Sequence, residues 1–235
     1  MALTEPNQPH GPEDRPDARP DDKPEDGRVR RARELKSATR AQILTAIRPV
    51  FAERGYHQAS LADLLTAAQV ARGTFYLHFD SKEAAFRALL DDLTERIAGQ
   101  LRPVDTTNLP AALGQLVDNL ARALSLFSDE PDLGRLVLRQ ADAVSDDLKT
   151  HLDHFYASIA SLAGRSLSAG QRLGLVRPGD VSRMARLALG LFKEAAAMLA
   201  FDASPPSAEA LAREVLDLAL HGVLTVSTAT APRGR

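Results

Sequence analysis

The chain has 235 residues, of which 44% are hydrophobic and 26% charged, and its formal net charge is −2. This length permits one large domain or two small ones, and the absence of cysteine excludes disulfides and thiolate metal sites. The N-terminal sequence lacks the apolar core of a signal peptide, and no apolar run reaches the roughly 18 residues of a membrane span, so we expect a cytoplasmic protein that does not bind membranes.

The charge is distributed unevenly along the chain. Residues 1–27 carry three basic and eight acidic side chains, a net charge of −5. Residues 28–90 carry eleven basic and five acidic side chains, net +6, and residues 91–235 carry 15 and 18, net −3. A basic segment between two acidic ones indicates a part that binds a polyanion, although a solvated basic face gives the same counts.

The two ends of the chain have no pattern of a packed structure. Residues 1–27 are rich in proline and acidic residues and have almost no apolar side chain after Leu3. Such a segment cannot bury enough surface to offset its ordering entropy, so we predict that it is disordered. Residues 28–36 are strongly basic and form either a basic arm or the start of the first helix. Residues 228–235 are predicted to be a flexible tail.

The pattern becomes helical from about Ser37. Apolar residues recur at helical spacing from Ile43 to Phe51, and Gly55 is placed to cap the C-terminus of this first helix. Pro49 lies inside the helix and removes a backbone donor, so we expect a kink or a weakened turn there.

Two short helices follow the first one. The second helix is predicted to begin at Ser60, with Asp63 as its partner in a capping box. A tight turn at Gln69 joins it to a third short helix, so residues 37–82 form a helix-turn-helix within a three-helix unit. We expect Phe75 and Phe79 to hold the third helix against the first two.

Polar side chains alternate with these aromatic residues. Arginine can bind guanine or phosphate, glycine lets the backbone approach DNA, and threonine, tyrosine and histidine can donate to phosphate oxygens. A lysine in the first turn of the next helix adds positive charge where helix amides favour an anion. A generic polar face has the same residue types, but so many donors suit a phosphate-facing surface. The predicted DNA-binding residues are Ser60, Arg72, Gly73, Thr74, Tyr76, His78 and Lys82.

Residues 43–90 resemble the DNA-binding domain of the tetracycline-repressor (TetR-like) family of bacterial regulators. The shared features, in order, are "FAERGY" at the end of the first helix, Ser60 at the start of the second, "RGTFYLHF" as the recognition helix, and "SKE". The resemblance implies DNA contacts at the seven positions above. Gln69 replaces the usual glycine of the turn and would carry strain at positive φ. Ala71 replaces the usual Ser or Thr cap, a loss of roughly 1 kcal/mol.

Residues 83–227 are predicted to be helical almost throughout, without strand-like alternation or repeats. The resemblance implies that they form an effector-binding and dimerisation domain. The expected fold class is therefore all-α, with an N-terminal helix-turn-helix domain and a C-terminal helical domain. The last two helices are predicted over about 181–201 and 208–226, with Asp180 and Ser207 as N-caps.

Apolar stripes on the last two helices suit a four-helix interface between two copies, although both stripes could also pack within one chain. The candidate interface residues are Met184, Leu187, Leu191, Ala195, Leu211, Val215, Ala219 and Gly222. Other apolar residues, with two polar partners, are candidates for an effector pocket, although residues at this spacing equally form a core. These are Phe127, Leu136, Arg139, Gln140, Phe155, Tyr156 and Phe192.

Motifs for catalysis and metal binding are weak or missing. His151 and His154 have a spacing that can place two ligands on one face of a helix, but a third ligand is not obvious, so we expect no metal and no cofactor. No nucleotide-binding or hydrolase motif is present, so we do not expect an enzyme.

The sequence thus predicts a homodimeric repressor that a small-molecule effector releases from a pseudo-palindromic, double-stranded operator. Two alternatives stay open. One is a helical small-molecule-binding protein that no longer reads DNA, and the other is an enzyme with a site assembled from distant residues.

Overall fold

The computed structural model describes residues 27–138 and 146–221, except for the side chains of residues 109, 110 and 146–148. The expected all-α class is confirmed, and within these ranges the structure contains no strand. None of the described helices combines the length and the apolar character that a membrane crossing needs. The helices are α1 (Gly27–Gln58), α2 (Leu61–Ala68), α3 (Arg72–Tyr76), α4 (Lys82–Gln100), α5 (Leu109–Asp129), α6 (Pro131–Leu138), α7 (Asp146–Arg172), α8 (Val181–Phe201) and α9 (Ala208–His221).

A division between two compact units falls after Ala38. On its N-terminal side, residues 27–38 are helical and all exposed. The basic residues 28–36 therefore lie in a helix, which was one of the two alternatives. Residues 1–26 and 222–235, which include most of the predicted tails, lie outside the described residues.

An aromatic core holds the three-helix unit together, as predicted. Phe51 of α1, Phe75 of α3 and Phe86 of α4 are each 0% exposed, and Phe79 is 3% exposed. Phe51 and Phe86 meet edge to face with ring centroids 5.3 Å apart, and the rings of Phe75 and Phe79 are 5.4 Å apart. Burying each of these side chains contributes roughly 1.5–3 kcal/mol, so they fix α3 against its neighbours.

The capping box predicted for α2 and the irregularities predicted for α1 can be compared with the structure. The capping box is confirmed, because the Ser60 N–H donates to the Asp63 carboxylate at 2.9 Å and the Asp63 N–H donates to the Ser60 hydroxyl at 3.2 Å. The break expected at Gly55 is confirmed, whereas the structure shows no kink at Pro49, where a kink or a weakened turn was expected. The backbone of α1 leaves helical angles at Gly55, with φ 76° and ψ 162°, because a glycine tolerates positive φ. Buried Phe51 helps to hold the helix across Pro49, where only one backbone hydrogen bond is missing.

The turn that leads into α3 contains Gln69 and Ala71, the two residues that depart from the family pattern. Gln69 adopts φ 53° and ψ 38°, the left-handed conformation that its place in the turn requires. Its N–H donates to the Thr66 carbonyl, which closes α2. Ala71 caps α3 without any side-chain hydrogen bond.

The C-terminal helices form the second part of the same core. α5 packs against α8 and α9, α7 packs against α8 and α4, and α6 packs against α8. A Cβ added to Gly134 would lie 2.3 Å from the Ala200 Cβ, so glycine allows the close approach of α6 to α8. The predicted caps are confirmed, since Asp180 accepts from the Arg183 N–H and Ser207 from the Ala210 N–H.

Candidate functional site

Helix α3 has a buried face and an exposed face. Phe75 points into the core, whereas Arg72, Gly73 and Tyr76 are exposed, Tyr76 to 43%. A Cβ added at Gly73 would meet nothing within 4 Å, so the backbone is open to an approaching surface at this point. The aromatic anchor thus turns the predicted DNA-binding residues outward.

Two of the predicted residues, Arg72 and Tyr76, lie together on this exposed face, and two others are half-buried. The guanidinium of Arg72 is 5.9 Å from the ring centroid of Tyr76, one helical turn further on. Thr74 is half-buried in α3, and His78 is half-buried in the turn that follows it. All four side chains carry donors, as contacts to phosphate oxygens require.

Two further residues of this surface were missed by the sequence analysis. Leu77, just after α3, is 71% exposed, which is unusual for a leucine and places an apolar group among the donors. The Arg40 guanidinium of α1 lies 5.0 Å from the ring centroid of Phe79. The high exposure of Leu77 could have been expected from its position beside Tyr76, but nothing local links Arg40 to a residue 39 positions away.

Ser60 and Lys82 have additional structural partners. The Ser60 hydroxyl donates to the Asp63 carboxylate at 2.7 Å. The Lys82 ammonium donates to the carbonyls of Tyr56 at 2.8 Å and Ala59 at 2.9 Å, and it lies 4.4 Å from the Tyr56 ring centroid. Burial lowers the pKa of Lys82. The lysine therefore ties the start of α4 to carbonyls at the C-terminal end of α1, which the sequence analysis did not anticipate.

A small apolar cavity lies between α5, α6, α7 and α8. Its volume is about 10 Å³, which leaves room for at most one water molecule. Leu136 is 0% exposed in the adjoining core, and Arg139 and Gln140 lie outside the described residues. The cavity is lined by Phe127, Val137, Leu138, Phe155, Tyr156, Ile159, Leu189, Phe192, Lys193 and Ala196, four of which were predicted.

Tyr156 and Lys193 supply the polar groups of this cavity. The Tyr156 hydroxyl donates to the Val137 carbonyl at 2.7 Å, and the Lys193 ammonium lies 3.9 Å from the Tyr156 ring centroid. Burial, with a smaller effect from the charge of Asp153, raises the pKa of Tyr156 to about 12. Tyr156 is therefore a neutral hydrogen-bond donor, and Lys193, missed by the sequence analysis, brings a cation to an apolar space.

A wider and more polar cleft of about 280 Å³ separates α4 from α7. His151 and His154 both line it, together with Arg87 and Glu95. His151 Nε2 lies 2.7 Å from the Glu83 carboxylate, in the first turn of α4. Among the described residues, no three His, Asp or Glu side chains are grouped as metal ligands.

Glu130 links the helix-turn-helix to the C-terminal helices. This residue follows α5, and its carboxylate forms ion pairs with Arg48 of α1 and Arg96 of α4. Burial by itself would raise the pKa of Glu130, but the hydrogen bonds and charges of the two arginines lower it below the usual value. One carboxylate thus neutralises cations from two helices that flank the DNA-binding unit.

The candidate interface residues divide between surface and core. Leu187 and Leu191 on α8 are exposed to 68% and 37%. Ala195 and Leu211 are only 3% and 4% exposed, because they pack within their own chain. Met184 and Val215 are half-buried, Ala219 is exposed, and Gly222 lies outside the described residues.

The short helices α2 and α3 are joined by a tight turn. Aromatic residues anchor α3, which exposes side chains that can donate hydrogen bonds. This arrangement is a helix-turn-helix of the DNA-binding type. The family model described as "Bacterial regulatory proteins, tetR family" matches residues 43–89. This segment of the chain is therefore similar to the DNA-binding domain of the TetR-like family.

Two bacterial regulators are similar in sequence to this chain. The HTH-type transcriptional regulator TtgR of Pseudomonas putida is 45% identical over 67 residues, 28% of this chain and 32% of that protein. The chain therefore matches about a third of the length of TtgR. The fatty acid metabolism regulator protein of Bacillus subtilis is 26% identical over 190 residues, 77% of this chain and 94% of that protein.

A crystal structure of the transcriptional regulator FadR from Bacillus subtilis in complex with stearoyl-CoA has a similar fold. Its TM-score is 0.66 at 24% identity, and the match covers 78% of this chain and 99% of that one. The C-terminal helices, for which the family model has no match, therefore also have the fold of such regulators.

Proposed function

We propose that the protein is a homodimeric transcriptional repressor that binds a pseudo-palindromic operator and is released by a small-molecule effector. The observation that carries this proposal is the exposed donor row of α3, which buried Phe75 holds in a fixed orientation. Exposed side chains that donate hydrogen bonds suit both phosphate and guanine. The relatives are named as transcriptional regulators, which supports the same class, and DNA binding is expected to take place in the cytoplasm.

The proposed DNA surface consists of the exposed side of α3 and the elements at its two ends. Arg72 and Tyr76 occupy its centre, and Leu77 is positioned to contact a thymine methyl group. Lys82 has two of its three donors engaged with α1, so it contributes mainly its charge. Ser60 keeps an exposed hydroxyl beside its cap and stays within the proposed set.

Two copies are required to place two recognition helices in successive major grooves, about 34–36 Å apart. Leu187 and Leu191 on α8, with Ala219 and Leu220 on α9, leave apolar surface exposed that a second copy would cover. Ala195 and Leu211 are not part of this proposed interface, because their own chain already buries them.

The proposed effector site is the cavity around Phe155 and Phe192. Its aromatic lining favours an apolar effector, and its volume of about 10 Å³ means that the surrounding helices must move apart to admit such a molecule. The stearoyl-CoA bound by the structurally similar FadR is consistent with a large apolar group in this class of site. An effector that binds only the opened arrangement would shift the equilibrium away from the DNA-binding state.

The test is a selection of random-sequence duplexes by the purified protein, followed by sequencing of the bound pool. We expect enrichment of a two-fold symmetric motif, and we expect Arg72→Ala to weaken or relax it at defined positions. Arg165→Ala, a change at an exposed arginine on α7, is the control and should select the same motif. A pool without any enriched motif would contradict the proposal and favour a small-molecule-binding protein that no longer reads DNA.

A further inference from the structure

Residues 27–38, here called the N-terminal extension, carry five basic side chains and one acidic one, a net charge of +4. Every residue of the extension is exposed, including Val29 at 45% and Leu35 at 70%. A helix without a buried face is not stabilised by packing, so its sequence is not explained by the needs of a core. The basic residues are Arg28, Arg30, Arg31, Arg33 and Lys36.

The segment to which the extension is joined lies beside the proposed DNA surface. Arg40 follows its last residue by two positions, and the Arg40 guanidinium lies 5.0 Å from the ring centroid of Phe79, just after α3. Twelve residues reach about 18 Å as a helix and about 40 Å when extended. Within that reach a duplex presents many phosphates, since it carries about one charge per 1.7 Å of its axis.

We propose that the N-terminal extension is a second DNA contact, which binds the phosphate backbone without reading the base sequence. This inference rests on the proposed function, because α3 must first bring the protein to the duplex. Guanidinium groups match phosphate oxygens in pairs, and four of the five cations are arginines. Glu34, which pairs with Arg30 at 3.5 Å, is the one acidic residue among the twelve of the extension. The covalent link keeps these cations at high effective concentration near bound DNA.

The test compares salt dependence in the full-length protein. The triple variant Arg30→Gln, Arg31→Gln, Lys36→Gln removes three cations and keeps residues with good helix propensity. Fluorescence anisotropy would measure the affinity for scrambled duplexes of about 30 base pairs, roughly three helical turns, over a series of salt concentrations. Each phosphate contact contributes about 0.9 to the slope of log affinity against log salt. We therefore expect the slope to become shallower by about 1–3 units, to the same extent on AT-rich and GC-rich duplexes.

The matched control is Lys149→Gln, Arg165→Gln, Arg172→Gln. These three residues are exposed on α7, and the variant makes the same change in net charge. We expect its slope to equal that of the unaltered protein. A change that appears equally in both triple variants reflects net charge alone and would overturn the inference.

The remaining outcomes separate this inference from the proposed function. Equal slopes for the unaltered protein and the extension variant, in a protein that binds duplexes, would overturn the second contact alone. If the unaltered protein does not bind duplex DNA, both proposals are wrong. If the extension variant loses only its binding to vesicles rich in phosphatidylserine and keeps the DNA slope, the partner is an anionic membrane and the inference is wrong.

Discussion

At the scale of single residues, exposure separates side chains that are available to contact DNA from those that stabilise the fold. Tyr76 and Tyr156 show the difference. The Tyr76 ring is 43% exposed beside Arg72, whereas the Tyr156 hydroxyl is bonded to the Val137 carbonyl at 2.7 Å. The two tyrosines therefore form a matched pair for separating binding from stability.

We expect Tyr76→Phe to weaken binding to the selected operator by about 10- to 150-fold, because a hydrogen bond to a charged phosphate contributes about 1.5–3 kcal/mol. Its thermal stability should be unchanged. Tyr156→Phe should do the reverse, with a stability loss of about 1 kcal/mol and little effect on operator affinity. Anisotropy titrations and urea denaturation measure the two quantities. Full operator affinity in Tyr76→Phe would remove its hydroxyl from the DNA contacts.

Lys82 has both kinds of role. Lys82→Gln should destabilise the fold by about 1.5–3 kcal/mol, because the ammonium donates to two carbonyls at the end of α1. Operator affinity should fall as well. Arg87→Gln, an exposed residue one turn later in α4, is the control and should change stability by less than about 0.5 kcal/mol. Equal melting temperatures for Lys82→Gln and Arg87→Gln would show that the bonds to α1 contribute nothing.

At the scale of elements, the weak point is the entry to α3. Ala71 offers no side-chain oxygen to the first amides of the recognition helix, and Gln69 holds a left-handed conformation that costs roughly 1 kcal/mol for a residue with a Cβ. These costs are local. They lower the stability of α3 without changing its direction, which buried Phe75 determines.

We predict that Ala71→Ser stabilises the protein by about 1 kcal/mol, because its hydroxyl would accept from an amide of the first turn. Urea denaturation with an unchanged m-value measures this gain. The same change in the middle of a helix, Ala157→Ser, should be mildly destabilising because alanine has the higher helix propensity. If both serines destabilise, the cap position does not limit the stability of α3.

At the scale of the whole molecule, Glu130 connects α1 and α4 to the end of α5. Its carboxylate pairs with Arg48 and Arg96, whose side chains are only 16% and 29% exposed. Removing the negative charge leaves two partly buried cations close together, so the arrangement of α1, α4 and α5 depends on this residue.

Glu130→Gln should lower the stability by about 1–3 kcal/mol near neutral pH. The pKa of Glu130 is lowered in the folded state, so its stabilisation is present above the unfolded value of about 4.3 and is lost as the pH falls through the lower, folded value. The difference from the unaltered protein should therefore shrink below about pH 4. Glu209→Gln, which breaks an exposed pair with Arg213, should have little effect at any pH. A pH-independent difference would refute the charge argument.

The oligomeric state depends on the surface of α8. Leu187→Glu should convert the proposed dimer into a monomer, because it places a charge in an apolar interface. Sedimentation velocity measures the outcome, and circular dichroism checks the fold. Leu173→Glu, at a leucine that is 56% exposed after α7, is the control and should leave the mass unchanged. A dimer that persists in Leu187→Glu would place the interface elsewhere.

The sequence by itself determined the features that depend on neighbours a few positions away. The helical pattern, the Ser60 cap, the strained Gln69 and the uncapped Ala71 all follow from spacing and backbone preference within one or two turns. The opposite faces of the recognition helix were also predictable, because Phe75 and Tyr76 point to different sides of a short helix.

Only the tertiary structure decided which distant groups meet. The Lys82 ammonium bonds to carbonyls 26 and 23 positions earlier, and the Glu130 carboxylate pairs with Arg48 on a helix 82 positions earlier. Four aromatic candidates of the C-terminal half line one small apolar cavity, but its volume of about 10 Å³, and the burial of Ala195 on α8, depend on how whole helices pack. Helical spacing records which face of a helix is apolar. Helical spacing does not indicate whether that face contacts another helix, a ligand or a second copy of the chain.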